Sequence, residues 1–279
     1  MRFPPATAKI GKRIDHRKTV MRIATFNING IKARIEALPR WLDAEKPDVV
    51  CLQEIKSVDE AFPRTLFEDM GYVVETHGQK GFNGVAILSR FPLEDVVRGL
   101  PGDDSDEQAR WIEATVMAPR PIRVCGLYLP NGNPAPGPKY EYKLAWMARM
   151  EARVADLLAG EEPFLCAGDY NVIPQREDAA KPDLWTEDAL FLPQTRSAFR
   201  RLVNLGLTDA FRARNQAPGQ YSFWDYQAGA WERNNGIRID HLLLSPQAAD
   251  RLTGAGIDKA VRAGDKPSDH VPVWITLDA

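Results

Sequence analysis

Residues 162–171 read EPFLCAGDYN, and this stretch predicts how the rest of the chain is arranged. The apolar run from Phe164 to Ala167 is typical of a short buried strand, which Gly168 is expected to end in a tight turn. Asp169 and Asn171 follow two residues apart, so in an extended segment their side chains point the same way. A carboxylate can deprotonate a water molecule, and a carboxamide can donate to a phosphate oxygen. The stretch therefore predicts a polar site at a strand end, although a plain polar turn is the ordinary alternative.

Other predicted strands finish in the same way, on polar side chains that can bind or titrate. These strand-end residues are Asn27, Asn29, Glu54, Tyr128, Asp169, Asn171, Asp240, Asp269 and His270. Singly, each has an ordinary interpretation, such as a solvated strand end or a core aromatic. Together, the carboxylates and carboxamides suit a hard cation such as Mg²⁺, and zinc is disfavoured because the set holds one histidine and no cysteine. A bound cation would let this acidic set accept an anionic phosphodiester.

The predicted elements alternate irregularly between strands and helices. Strands are predicted at 22–28, 48–53, 72–76, 85–89, 111–117, 122–129, 164–167, 237–244 and 271–277. Helices are predicted at 34–46, 59–70 and 195–205, together with a long amphipathic helix that ends before Gly160. Because neighbouring strand pairs are frequent, the pattern indicates mixed sheets with outer helices rather than one uniform parallel sheet.

The composition is that of an ordinary soluble protein, with a net charge of −2 and 44% hydrophobic residues. A polyanionic partner would therefore require the basic residues to gather on one face. Cys51, Cys125 and Cys166 each lie in an apolar run and are predicted to be buried thiols in a reducing compartment. No run is long enough to span a bilayer, and no secretory signal is recognisable, so we expect a cytoplasmic protein.

Residues 1–20 are basic and are predicted to form a disordered extension. An upstream start-site artefact and a DNA-seeking tail are the alternatives. Residues 21–279 are predicted to form a single domain.

Six sequence blocks resemble the signature blocks of the exonuclease III family, which comprises abasic-site endonucleases of the endonuclease/exonuclease/phosphatase superfamily. The blocks are TFNING at 25–30, LQE at 52–54, HGQKG at 77–81, GDYN at 168–171, RID at 238–240 and SDH at 268–270. Their order along the chain makes the set specific, although no single block is. The resemblance implies a four-layer α/β sandwich: two mixed β-sheets packed face to face with outer helices, and one site at their shared edge.

The resemblance also implies an activity. It predicts a Mg²⁺-dependent DNA-repair nuclease, with Mn²⁺ able to replace Mg²⁺, that acts as a monomer on double-stranded DNA. Such an enzyme hydrolyses the phosphodiester 5′ to abasic sites and removes nucleotides or blocking groups from 3′ ends.

Roles for the strand-end residues follow from the same resemblance. Asp169 would orient and deprotonate the attacking water, while Asn171 and Tyr128 would bind the phosphate. Asp240 would hold His270, which would steady the charge that develops on the phosphate. Glu54 would be the main metal ligand, and Asp269 would assist the metal or a second metal position. The implied metal set comprises Asn27, Glu54, Asp169, Asn171, Asp269 and His270.

Contacts to DNA are predicted from the residues that flank these blocks. A basic rim is predicted from Lys32, Arg34, Lys56, Lys80 and Arg238, with Asn29 and Asn131 as further contacts. The resemblance places a pocket for the bare sugar of an abasic site at Phe223, Ile237 and Ile239. On composition alone, these three are ordinary core residues.

Two other functions compete with the nuclease. A phosphomonoesterase or phospholipid hydrolase could use the same scaffold, but inositol phosphatases of the superfamily extend the Gly-Asp-x-Asn block with Tyr-Arg, where Val172 and Ile173 stand here. A catalytically inactive binding module would lack at least one of the expected catalytic residues, and none is missing.

Overall fold

The computed structural model describes residues 20–279, which contain twelve β-strands and six α-helices. The strands are β1 (Val20–Asn27), β2 (Val49–Gln53), β3 (Val73–His77), β4 (Val85–Ser89), β5 (Leu93–Arg98), β6 (Trp111–Val116), β7 (Ile122–Tyr128), β8 (Phe164–Asp169), β9 (Thr208–Asp209), β10 (Asp240–Leu244), β11 (Leu252–Ile257) and β12 (Val273–Asp278). The helices are α1 (Ala37–Glu45), α2 (Arg64–Asp69), α3 (Pro138–Ala159), α4 (Pro193–Asn204), α5 (Ala210–Arg214) and α6 (Pro246–Ala249).

The strands form two mixed six-stranded sheets. The first has the order β11-β12-β1-β2-β4-β3, and the second has the order β5-β6-β7-β8-β10-β9. Each sheet has one parallel pair near its centre, β1 with β2 and β7 with β8. Their outer neighbours pair antiparallel. The two sheets therefore have the same layout, and the carboxyl ends of both parallel pairs can meet at one edge.

The layers pack as the family resemblance implies. One apolar core lies between the sheets and joins residues such as Ile23 and Val85 of the first to Val124 and Leu165 of the second. Helices α1 and α2 cover the outer face of the first sheet, and α3 and α4 cover that of the second. Because both faces of the central strands are covered, β2 and β4 are buried along their whole length. The predicted four-layer sandwich is confirmed.

Gly168 does not end its strand, contrary to the expectation from the sequence. It lies inside β8, where a β-carbon would stand 1.9 Å from the carbonyl oxygen of Leu127 in β7. Glycine is required here because the neighbouring backbone lies too close for any side chain. The strand continues to Asp169, which occupies its last position.

Three strands that periodicity did not predict, β5, β9 and β11, lie at the sheet edges. β9 has only two residues, while β5 and β11 each contain a register shift and are largely solvent-accessible, so none shows the alternating burial that marks a strand in sequence. The predicted strand at 237–244 also begins later, at Asp240.

The predicted basic extension lies outside the described residues except for Val20, which begins β1 and pairs with Asp278. All three cysteines are buried free thiols, as predicted. Between residues 20 and 279, none of the helices has the length and apolar composition needed to cross a bilayer.

Candidate active site

The strand ends converge at one edge of the sandwich. Asn27 ends β1 and Glu54 follows β2, while Tyr128 and Asp169 end β7 and β8 and face each other in register. On the antiparallel side, Asp240 begins β10 directly opposite Asp169. The two parallel pairs therefore deliver carboxylates from both sheets to the same place.

Asn27 joins the two sheets within this site. Its Nδ2 donates to Glu54 Oε1 and to Asp169 Oδ2, at 3.0 Å in each case, and the side chain is fully buried. Its Oδ1 accepts the backbone N–H of Asn29 at 3.0 Å. In this arrangement Asn27 orients two carboxylates rather than presenting an oxygen to a cation, which differs from the ligand role that the sequence predicted.

Glu54 carries its charge at the mouth of the site. Lys56 Nζ lies 2.8 Å from its Oε2, and the Glu54 side chain is 19% exposed. Burial raises the pKa of Glu54, but hydrogen bonds from Lys56 and Asn27 outweigh burial and hold the pKa below its usual value. Glu54 is therefore an ionised, partly accessible carboxylate, which suits a ligand for a hard cation.

His270 stands between two carboxylates. Its Nδ1 lies 2.9 Å from Asp240 Oδ2, and its Nε2 lies 3.6 Å from Asp169 Oδ2. Ser222 Oγ donates to Asp240 Oδ2 at 2.6 Å and so fixes that carboxylate. Burial lowers the pKa of His270, but the charges of Asp240 and Asp169 outweigh it and raise the pKa to about 10. Both ring nitrogens therefore face carboxylates, an arrangement that suits a hydrogen-bond donor, and the ligand role of His270 stays a prediction.

Asp169 titrates near neutrality. Burial raises the pKa of Asp169 to about 7, against the lowering effect of charged His270 and of hydrogen bonds from Asn171 and Asn27. A general base is most effective when its pKa lies close to the working pH. Asp169 therefore combines the position and the basicity that proton abstraction requires.

Asn171 is held in a demanding conformation beside this base. Its φ is +47°, in the left-handed region that non-glycine residues seldom occupy, and its backbone N–H donates to Asp169 Oδ1 at 2.9 Å. Its Nδ2 donates to the carbonyl of Leu129 at 2.9 Å, and its Oδ1 accepts from Asn131 Nδ2 at 3.1 Å. The loop after β7 thus fixes the carboxamide.

Tyr128 is fixed by a cation that the sequence analysis did not identify. The Arg110 guanidinium stacks 4.8 Å from the centre of the Tyr128 ring and donates to its carbonyl at 3.2 Å. Burial, followed by the charges of Glu54 and Asp169, keeps the pKa of Tyr128 well above its ordinary value. The phenol therefore remains a hydrogen-bond donor at neutral pH.

Asp269 lies in the loop before β12, at the rim of the site. Asn29 Nδ2 donates to its Oδ1 at 3.1 Å, and Lys56 Nζ donates to Asn29 Oδ1 at 2.5 Å. Ser268 anchors the same loop, because its hydroxyl donates to the carbonyl of Asn27 at 2.8 Å.

The predicted sugar pocket divides into exposed and buried parts. The partly exposed Phe223 ring stands edge-on to His270, with centroids 4.9 Å apart. Ile237 and Ile239 are each 2% exposed and belong to a small core with Ile173. Phe223 alone can therefore touch a ligand, and the two isoleucines support it from behind.

The predicted basic rim is smaller than expected. Lys32 and Lys80 are exposed, but Arg238 is 1% exposed and forms ion pairs with Asp178 (2.7 Å) and Asp209 (2.9 Å). The assignment of Arg238 to the DNA contacts is therefore wrong: it is a structural cation that ties the segment before β10 to two distant acids.

Arg34 also differs from its predicted place in the rim. It is 9% exposed, and its Nη2 donates to Tyr226 Oη at 2.5 Å and to the carbonyl of Pro267 at 2.9 Å. These bonds tie the loop after β1 to the segment that carries Asp269. Arg34 is thus committed to loop contacts, and Lys32 and Lys80 are the freely exposed cations of the rim.

The donor set fits a divalent cation by its chemistry. Asp169, Asp240 and His270 form a buried cluster whose donor atoms lie within 4.8 Å of one another, and Glu54 reaches Asp169 through Asn27. Ser222 and His270 engage Asp240, and Asn27 and Asn171 engage the buried Asp169, so Glu54 is the most accessible of these three carboxylates. Oxygen donors of this kind are those that Mg²⁺ and Mn²⁺ prefer.

Comparison with known proteins agrees with this geometry. Residues 24–270 match the model of the endonuclease/exonuclease/phosphatase family. The chain belongs to this family. Within it, the chain is 38% identical to exodeoxyribonuclease III of Haemophilus influenzae, over 91% of this chain and 98% of that protein.

Two solved structures of this family are similar over the whole fold. An AP endonuclease from Archaeoglobus fulgidus superposes with a TM-score of 0.88 at 36% identity, covering 93% of this chain and all of the other. The 3′ phosphatase NExo from Neisseria, bound to product DNA hairpin, superposes with a TM-score of 0.89 at the same identity and coverage. The chain therefore lies in the exodeoxyribonuclease III and AP endonuclease branch, whose members are DNA-repair nucleases.

Proposed function

We propose that this protein is a Mg²⁺-dependent DNA-repair nuclease. It hydrolyses the phosphodiester 5′ to abasic sites in duplex DNA and removes nucleotides or blocking groups from 3′ ends. The observation that carries the proposal is the joint placement of Glu54 and Asp169 on Asn27, beside a protonated His270.

The chain's own residues account for attack on the phosphorus. Asp169 accepts the proton of the attacking water, because its raised pKa leaves it basic enough near neutral pH. The Nε2–H of His270 donates to a phosphate oxygen and stabilises the charge that develops there, while Asp240 holds the ring from the other side. Asn171 and Tyr128 donate to the same phosphate and fix its orientation.

Glu54 would hold the cation, with Asp269 at the rim, and Asp169 is reserved for the attacking water. When bound, a divalent cation supplies charge neutralisation to an anionic substrate that this acidic site would otherwise repel. Lys56, which pairs with Glu54 at 2.8 Å, would be available to a DNA phosphate when Glu54 holds the cation.

The preference for abasic over intact nucleotides is assigned to the surface beside His270. An abasic nucleotide leaves the duplex more cheaply than an intact one, because no base has to be unstacked or unpaired. Phe223 offers its ring to the bare sugar next to the phosphate that His270 contacts. Lys32 and Lys80, both exposed on loops near the site, meet the flanking phosphates.

The phosphomonoesterase and phospholipid alternatives receive no support from the residues after Asn171. Val172 and Ile173, which stand where inositol phosphatases carry Tyr-Arg, are both fully buried and pack into separate apolar clusters. Neither can bind a headgroup. The site is nevertheless suited to removing a 3′ phosphate from DNA, and the similar NExo structure is named a 3′ phosphatase.

The proposal is tested with a 5′-labelled duplex that contains one tetrahydrofuran abasic analogue. We expect a single cut 5′ to the analogue with Mg²⁺, none with chelator, and recovery with Mn²⁺. A second duplex with a 3′ phosphate measures end cleaning in the same buffers. Full activity in chelator, or hydrolysis of inositol phosphates without any cut in DNA, would refute the proposal.

A further inference from the structure

A lysine is buried behind the proposed active site. Lys143 lies on α3, is 0% exposed, and faces the sheet rather than solvent. Its Nζ donates to the backbone carbonyl of Asn171 at 2.6 Å and to that of Asn131 at 3.0 Å. The helix thus sends one ammonium group into the gap between the loop after β7 and the loop after β8.

The loop after β7 is shaped around this lysine. Gly132 has a φ of +90°, and a β-carbon on it would stand 2.6 Å from Lys143 Cδ and 3.2 Å from Ala189 Cβ. The backbone therefore closes over the lysine stem, where no side chain larger than hydrogen fits. Asn131, directly before this glycine, is brought into contact with Asn171.

Lys143 contacts Asn171, whose backbone conformation is unfavourable for a residue other than glycine. Asn171 has a left-handed backbone and depends on Leu129, Asn131 and Asp169 for its side-chain and N–H partners. Lys143 contacts the one remaining main-chain group of Asn171, its carbonyl, and binds it to the same loop that fixes the carboxamide. Removing the ammonium would release both loops at once.

An apolar residue would be the cheaper choice at this position. Burying an ammonium without a directly paired carboxylate is unfavourable, and burial lowers the pKa of Lys143 to about 7, against the charges of Asp169 and Asp188. The neighbours Trp146, Met147 and Met150 on the same face of α3 are apolar. A polar group that is buried at such a cost requires a specific interaction. The hydrogen bonds of Lys143 to the two backbone carbonyls provide it.

We infer that Lys143 is a positioning residue, which fixes Asn171 against the loop 129–133 and so holds the phosphate-binding carboxamide in its working place. The inference rests on the proposed function. It assigns to α3, which supplies none of the proposed reacting groups, an effect on turnover that acts through Asn171.

The test compares three variants by steady-state incision of the abasic duplex. Lys143→Met keeps the volume and removes the donors, and Lys143→Gln retains an uncharged N–H donor. Met150→Ala is the control, because it removes a buried apolar side chain from the same face of α3 and takes no hydrogen bond away from either loop. All are measured at a temperature where each is fully folded. We expect Lys143→Met to lower kcat by about 10- to 10²-fold, the scale of a 1 Å misplacement, with KM changed less than about twofold.

Lys143→Gln should recover part of that loss, and Met150→Ala should leave kcat unchanged. If Lys143→Met does not fold, the Lys143→Gln variant decides by the same kcat criterion. A kcat of Lys143→Met that stays within about twofold of the wild type, or a loss of kcat that Met150→Ala matches, would overturn the inference.

A crystal structure separates this inference from the proposed function. Should the wild-type protein fail to cut the abasic duplex, the proposed function fails, and the Lys143→Met or Lys143→Gln structure decides the positioning role alone. The inference predicts that Asn171 leaves its left-handed conformation or loses its contact with Asn131. Unchanged loops would refute it.

Discussion

Asp169 and His270 show how burial sets the chemistry of single residues. Each is nearly inaccessible. Burial raises the pKa of Asp169 to about 7, whereas burial lowers the pKa of His270 and the charges of Asp240 and Asp169 outweigh it, which raises that pKa to about 10. The sequence could identify both residues, since each follows a recognisable strand. It could not reveal their protonation, which depends on Asp240 and Ser222 from distant parts of the chain.

Phe223 is the residue for which lesion choice can be tested. Phe223→Ala should lower incision at an abasic site by about 10-fold or more, equivalent to ~1.4 kcal/mol of lost contact, and should reduce discrimination against intact duplex. The reason is that its ring is the partly exposed aromatic group against His270. The incision rates of the variant on the abasic and the intact duplex are measured together with its thermal stability.

Phe191→Ala provides the matched control for this measurement. Phe191 belongs to the same small apolar cluster but is 5% exposed. We expect Phe191→Ala to lower the thermal stability and to leave the discrimination between abasic and intact duplex unchanged. If incision by the Phe223 variant falls only as far as its folded fraction, Phe223 is a core residue.

At the level of elements, the central strands were predictable and the edges were not. Uniformly apolar sequence runs, such as those of β2 and β4, predict strands that are covered on both faces. The edge strands β5 and β11 lack that signal. Arg238 is predicted to lie on the DNA surface because it flanks Asp240, but its burial cannot be foreseen, since Asp178 and Asp209, which neutralise its charge, lie 60 and 29 residues away in sequence. Lys143 and Arg110 were missed for the same reason.

His241 in β10 provides an element-scale prediction about pH. Arg238 donates to its Nδ1 at 3.0 Å, so the neutral ring carries its proton on Nε2 and donates to Val172 O at 3.0 Å. Burial, and then the charge of Arg238, lower the pKa of His241 to about 4. A depressed folded-state pKa adds stability that is present above the unfolded value of 6.5 and is lost as pH falls towards 4.

Urea unfolding at pH 7 and pH 5 measures this effect. The free energy of unfolding should fall by up to about 1.4 kcal/mol per pH unit below 6.5, and His241→Gln should flatten the dependence. His77→Gln is the control, because burial also lowers the pKa of His77, which is only half-buried, so that variant should change the slope less. An unaltered pH dependence in His241→Gln would exclude His241 as its source.

At the scale of the whole molecule, a net charge of −2 has to be reconciled with a polyanionic substrate. The acids of the site are offset locally, since Lys56 pairs with Glu54 and His270 is charged. Lys32 and Lys80 remain exposed on loops near the strand ends. DNA affinity should therefore come from a few local cations. The slope of log K against log salt should report how many phosphates these cations contact.

Charge reversal at Lys80 tests this distribution. Lys80→Glu should make the slope of log K against log salt shallower by about one unit, the value for one lost phosphate contact. Arg120→Glu, in the exposed turn between β6 and β7 at the opposite end of the second sheet, should leave the slope unchanged. An equal response of both variants would show that Lys80 acts only through net charge.

The central claim is that the end of β8 carries the chemistry of a metal-dependent nuclease. Its most direct test is single-turnover incision of the abasic duplex by Asp169→Asn, with DNA affinity measured in parallel. Asparagine keeps the shape and removes the base, so the rate should fall by at least ~10²-fold while the Kd stays within a few-fold of the wild type. A near-normal rate would contradict the account and would show that another group activates the water.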